Sequence, residues 1–157
     1  MHQIPGPSIP VLIGDLNVRL HVTPDDMGEH IGPHVWGSGT LPSSPFTPNR
    51  EFLIEFLSDH SLCFPTSYQI TPPQSRITYR EISANQASYL DPGTDEFEVL
   101  DHLLVPCSRK AMVHKIQSKP QWNLRSRHFP LTVTLLVRDA APAPKEPNPK
   151  KQYFPPS

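Results

Sequence analysis

Proline sets the first limit on what this chain can fold into. A proline has no backbone N–H to give to a helix or a strand ladder, and its ring fixes φ, so each one ends or edges a regular element. With 21 prolines in 157 residues, part of the chain must be loop or extended tail. The folded portion is therefore smaller than the length suggests, and one modest domain is the expectation.

The stretch "PVLIGDLNVRL", Pro10 to Leu20, opens the readable part. Ser8 to Ile13 reads as a short, wholly apolar strand of the kind buried on both faces, and Gly14 releases it into a turn that exposes Asp15 and Asn17. From His21 to Pro48 no period is sustained. The segment, including "GEHIGPHVWGSG", is too long for a simple hairpin connection and suggests a loop bordering a site. "TPNREFLIEFLSDH" predicts the main helix, with Thr47 as N-cap, Pro48 as the first helical residue, and Phe52, Leu53, Phe56 and Leu57 as an apolar stripe facing the core. Short strand-like runs follow: "LCFPTS", "RITYRE", "FEVLDHLLV", "AMVHKIQ" and "LTVTLLV". The pattern is α+β with strands in the majority and no internal repeat. After Asp139, "AAPAPKEPNPKKQYFPPS" carries no core-forming pattern and reads as a Pro-rich tail, leaving 7–138 for the domain and 139–157 for the tail.

A net charge of -1 argues against strong sequence-independent attraction to nucleic acid or to an anionic membrane, so a nucleic-acid partner would have to be held by local charges. Cys63 and Cys107 stand far apart without a Cys-x-x-Cys pair, which points to two reduced, buried or half-buried thiols. No apolar run approaches the roughly 20 residues of a membrane span, and the start of the chain lacks a signal-peptide core. The expected location is intracellular, nuclear or cytoplasmic.

Four polar residues sit inside or at the ends of apolar strands: Asp15, Asn17, Asp101 and His128. A carboxylate within "EVLDHLLVP" costs several kcal/mol to desolvate unless paired, so Asp101 needs a cation or strong donor, and a histidine is the natural candidate. His128, in "LRSRHFPLTVTLL", offers one. A carboxylate that holds an imidazole in one tautomer while the ring meets a phosphate suits acid-base chemistry. Asp15 with Asn17 also fits an ordinary strand-terminating turn, and Asp101 also fits a solvent-facing edge position. His102 should point to the opposite sheet face from Asp101, with a surface role. His21, His30, His34, His60 and His114 lack the spacing of a metal cluster and read mostly as structural or exposed.

"VLIGDLNV", "VLDHLLV" and "SRHFPLTVTL", in that order with a helix between the first two, resemble the later motifs of the endonuclease/exonuclease/phosphatase family. The intervening "IGPHVWGSGT", "NREFLIEFLSDHSLCFPTSY" and "RITYRE" look closer still to the endonuclease domains of non-LTR retrotransposons and related host proteins of the craniofacial development protein 2 type. The resemblance spans Pro7 to Val137. It implies half of a four-layered α/β/β/α sandwich, with one mixed, mainly antiparallel sheet and one main helix on its outer face. It further implies that Asp15 orients or deprotonates the attacking water and that Asn17 holds the scissile phosphate. His128 would stabilise the developing charge, with Asp101 fixing its ring. The implied cofactor is magnesium, with Asp15 as a weak ligand, and the implied substrate is DNA or another phosphodiester.

Two departures from the family pattern bear on activity. The family has Ser-Asp-His where this chain has Ser126-Arg127-His128, and a cation there repels magnesium. The family's metal-binding Glu and early Asn belong to an N-terminal half that would precede Pro10. The expectation is thus a truncated, degenerate endonuclease domain with little or no cleavage, unstable alone or dependent on a chain that supplies the other half. Several hundred Å² of bare apolar sheet would cost on the order of 10 kcal/mol, comparable to a domain's whole stability. Milder changes are Arg50 in place of Gly and Tyr79 in place of Trp, which keeps an aromatic substrate-facing surface. Arg127 reads equally as a surface ion-pair residue or a phosphate contact. The rival reading is a non-catalytic binding module whose Lys119, Arg125 and Arg127 meet phosphate, or whose tail recruits a partner. A third keeps the fold for a phosphoinositide or small phosphoester.

Overall fold

The computed structural model describes residues 8–40, 47–122 and 124–137. The expected tail from 139 onward lies outside them. The architecture is mixed α and β, with antiparallel strand pairs and one main helix. The strands are β1 (Leu12–Asp15), β2 (Leu62–Cys63), β3 (Tyr79–Arg80), β4 (Phe97–Glu98), β5 (Asp101–Pro106), β6 (Val113–Ser118) and β7 (Leu131–Leu135), and the helix is α1 (Thr47–Asp59).

The expected single sheet is divided into three ladders: β1-β5-β2, β3-β4 and β6-β7. Proline limits two strands of the first ladder, since Pro65 opens a 3-10 turn just after β2 and β5 ends at Pro106. A break splits "FEVLDHLLV" into β4 and β5. There Thr78 Oγ1 accepts the N–H groups of both Leu100 and Asp101 at 2.9 Å, replacing a strand ladder with one fully buried hydroxyl.

Strand β5 organises the core because successive side chains point to opposite faces. Leu104 joins Val18, Leu20, Ile31, Leu53, Leu57, Leu62 and Phe64 beneath α1. Leu103 and Val105 join Cys63, Val113 and Ile116 beneath the β6-β7 pair. A smaller cluster of Ile77, Phe97 and Phe129 fills the end near β3-β4. Both thiols are free, with Cys63 buried and Cys107 half-buried.

Three expectations need correction. The first strand is not Ser8 to Ile13 buried on both faces. It runs from Leu12 to Asp15, includes Gly14 opposite His102, and leaves Leu12 and Ile13 38% and 58% exposed. The cause is topological, since among the described residues β1 is the edge of its sheet and pairs with β5 alone. Ile9, Val11, Leu136 and Val137 are exposed as well, and they line an open groove between the segment before β1 and the end of β7, with Arg109 and Met112 also in its wall. Next, the helix stripe is rotated. Leu53 and Leu57 are buried, Phe52 and Phe56 are exposed, and the inner face is completed by Ile54 and Arg50. Arg50 reaches inward because its guanidinium donates to the carbonyls of Leu20 and Val22, both at 3.2 Å, which fastens α1 to the chain after β1. Burial pulls its pKa down from the usual arginine value.

The last correction concerns His102, which does point away from Asp101 but into the core rather than to solvent. It is 3% exposed, stands edge-on to Phe64 at 4.9 Å, and donates from Nε2 to the Val18 carbonyl at 3.0 Å. Desolvation lowers its pKa below the ordinary 6.5, against the backbone of Val18 and the charges of Asp101 and Asp15. A histidine whose folded pKa is depressed stabilises the fold fully above the ordinary value, and that stability is lost as pH falls below it. Chemical denaturation should therefore show stability dropping below pH 6.5 by at most about 1.4 kcal/mol per pH unit from this one proton. His102→Gln, which keeps a donor for Val18, should flatten that slope; an unchanged slope would assign it elsewhere.

Candidate functional site

The antiparallel register of β1 and β5 places Asp15 directly opposite Asp101. Like charges facing each other across a pair are destabilising unless a cation or donor stands between them. His128 stands there. Its Nδ1 donates to Asp101 Oδ2 at 2.9 Å, and its Nε2 faces Asp15 Oδ2 at 3.7 Å. One imidazole thus spans two carboxylates that the ladder forces together.

His128 is held from several sides. It forms an isolated antiparallel bridge with Tyr79, whose ring meets the imidazole edge-on at 5.0 Å. The Phe129 N–H donates to the Thr78 carbonyl at 2.7 Å, the Arg80 N–H to the Arg127 carbonyl at 2.9 Å, and the His128 N–H to Ser126 Oγ at 3.0 Å. Thr78 therefore fixes both partners, Asp101 through its hydroxyl and the His128 segment through its carbonyl. Sequence reading missed Thr78 because nothing in "RITYRE" marks a threonine as a hinge between two ladders. Ser126 carried a signal, being a serine two residues before the backbone group it caps.

Asp15 is held by its own turn. Its Oδ1 accepts the Asn17 N–H at 2.8 Å, and Asn17 adopts the left-handed backbone (φ 49) that asparagine tolerates. Asn17 is exposed, and its backbone carbonyl receives a long 3.5 Å contact from the Asn49 side-chain amide at the start of α1. Arg127 lies with its guanidinium carbon 5.1 Å from the centre of the Tyr79 ring. The side chains of His128 and Asp15 are 37% and 46% exposed, so solvent and ligands reach the centre, whereas Asp101 is 19% exposed. All six residues singled out in the sequence, Asp15, Asn17, Tyr79, Asp101, Arg127 and His128, are thus linked through one chain of contacts.

The arrangement suits proton transfer and anion contact. Asp101 orients the ring through Nδ1, which leaves Nε2 facing Asp15 at 3.7 Å, too long for a hydrogen bond, with no closer partner among the described residues. Asp15 Oδ1 is used by the Asn17 backbone, Asp101 Oδ2 by the imidazole, and no group of three or more His, Cys, Asp or Glu side chains among the described residues is placed to hold a metal. Asp101 and His102 also line a pocket of about 40 Å³ together with His34, Trp36, Arg76 and Thr78.

The loop expected to border the site does more than border it. Its first part enters the core through Ile31, and the Trp36 indole N–H donates to the Phe97 carbonyl at 2.9 Å. Residues 41–46 of that segment lie outside the described residues. His21, read as structural or exposed, is structural, with Nε2 lying 3.1 Å from both oxygens of buried Glu98, which Arg19 Nε also meets at 3.1 Å. No helix among the described residues is long and apolar enough to cross a membrane. Neither the protein-family models nor the curated proteins searched contain a match to this chain.

Proposed function

We propose that this chain retains the phosphodiester-recognition part of an endonuclease/exonuclease/phosphatase-type site of retroelement descent, and that it holds DNA or a related phosphodiester without cutting it. The observation that carries the reading is the Asp15–Asp101 cross-strand pair spanned by the single imidazole of His128. In it, Nε2 of His128 meets a phosphate oxygen, the exposed amide of Asn17 meets a second, and Arg127 offsets the negative charge of the two carboxylates. Turnover is argued against by the cation at 127, where the resemblance expects an acid, and by the use of one oxygen of each carboxylate by protein groups. No step is assigned to a metal.

The experiment is a pair of assays on the full chain. Supercoiled plasmid in magnesium should remain unnicked, while DNA oligonucleotides should bind with log K falling as log salt rises, by about one to two units for one or two phosphate contacts. Arg127→Ala should weaken binding and reduce the magnitude of that slope by about one. Nicking that His128→Ala abolishes would overturn the loss of turnover; absence of oligonucleotide binding at low salt would overturn the whole reading.

The exposed apolar row of Ile9, Val11, Ile13, Leu136 and Val137 favours one addition, a partner chain that covers this face. Sedimentation showing a soluble monomer that binds no apolar dye would count against it.

A further inference from the structure

We propose that the loop between β6 and β7 is a contact for single-stranded nucleic acid, in which Trp122 stacks on an unpaired base beside the phosphate held at His128. The inference rests on the phosphodiester reading above and specifies the form of its ligand.

The loop is closed at its base. Ser118 pairs with Leu131, and the Lys119 N–H donates to the Pro130 carbonyl at 2.9 Å. Trp122 lies three residues out on one limb and His128 two residues in on the other. Chain reach keeps them within roughly 22 Å of each other, a few nucleotides along one strand. The loop sequence "KPQWNLRSRHFP" carries Lys119, Arg125 and Arg127 and no acidic residue, although the chain as a whole has net charge -1. Positive charge is therefore concentrated on the limbs that flank His128.

Trp122 is 52% exposed, and its N–H donates to the Lys119 carbonyl at 2.9 Å, which closes a turn at this end of the loop. Nearby Leu124 is 63% exposed. The protein's other tryptophan, Trp36, is half-buried and spends its indole N–H on a backbone carbonyl, as a structural tryptophan does. Trp122 takes no part in the three core clusters. A large aromatic surface in water, interleaved with cations, is the combination by which proteins bind single strands: cations follow the backbone, and rings stack on bases of any identity. A duplex hides its base faces within the stack, so it can use the cations but not the ring. The Tyr79 ring, in contact with both His128 and Arg127, adds a second aromatic group at the phosphate end.

The test titrates the full chain with a 12-nucleotide oligothymidine and with a 12-base-pair duplex, reading tryptophan fluorescence and affinity. Oligothymidine should quench the emission, and Trp122→Ala should weaken its binding about tenfold, the lower-middle range for one stacked base. Trp122→Phe should retain most of the affinity, and duplex affinity should be the same for all three proteins. Oligothymidine binding without quenching, at equal affinity in Trp122→Ala, would overturn this inference and leave the phosphodiester reading standing. Failure of either oligonucleotide to bind at low salt would overturn both.

Discussion

Arg19→Met should cost about 3–5 kcal/mol of folding free energy in urea or guanidinium titrations at neutral pH, the range expected when one partner of a buried ion pair is removed. The Arg19 side chain donates to Glu98 at 3.1 Å and to Glu81 at 3.0 Å, and the side chains of Arg19 and Glu98 are only 10% and 9% exposed. Methionine fills much of the same space, so the loss is chiefly electrostatic: Glu98 is left in β4 facing His21 without the guanidinium. Even in the intact network, desolvation raises the Glu98 carboxyl above its ordinary 4.5, overcoming the opposing pull of His21 and Arg19. A carboxyl whose folded pKa is raised binds its proton more tightly in the folded state. That contribution favours the fold at low pH and fades as pH rises from the ordinary value through the raised one. Without Arg19 the rise should be larger, so the deficit of Arg19→Met should shrink on acidification toward pH 5. Adding Glu98→Gln should recover part of it at neutral pH. A single mutant within 0.5 kcal/mol of the parent, or a deficit that grows on acidification, would refute the argument.

The second large effect separates the two faces of α1. Leu57→Ala should cost about 2–5 kcal/mol, because Leu57 is fully buried against β2 and β5 and its removal leaves a cavity that neighbours fill only in part. Phe52→Ala removes a larger side chain, yet Phe52 is 69% exposed, so its cost should stay within about 0.5 kcal/mol. Equal losses at both positions would mean that Phe52 is covered in solution, and the rotated stripe would be wrong. Either mutant large enough to unfold a marginal domain would be seen first as loss of the cooperative transition.

Legibility differed sharply between elements. The helix was readable because Thr47-Pro48 is a strong start signal and the apolar residues repeat with the helical period. Its rotation was not readable, because Phe52 and Phe56 satisfy that period as well as Leu53 and Leu57 do. What turned the helix was Arg50, whose donors find the carbonyls of Leu20 and Val22. The strand-like runs were located by Pro, Gly and Asn punctuation, but their grouping into three ladders was not. Pairing is decided by which backbone groups meet, and Thr78 replaced a ladder with a side-chain hydroxyl. His102 was misjudged for a related reason: alternation specifies the face of a strand, while only the layers above and below decide whether that face is wet.

By itself the sequence determined where the chain can be regular and which polar residues would be costly to bury, since both follow from local chemistry: a missing N–H at proline, a carboxylate in an apolar run. It also placed Asp15 at the end of one apolar strand and Asp101 inside another. Only the tertiary structure decided that these two carboxylates face one another and that one imidazole lies between them. That outcome depends on the register of β1 against β5 and on the β6-β7 loop folding back over it, contacts between residues up to 113 positions apart in the chain.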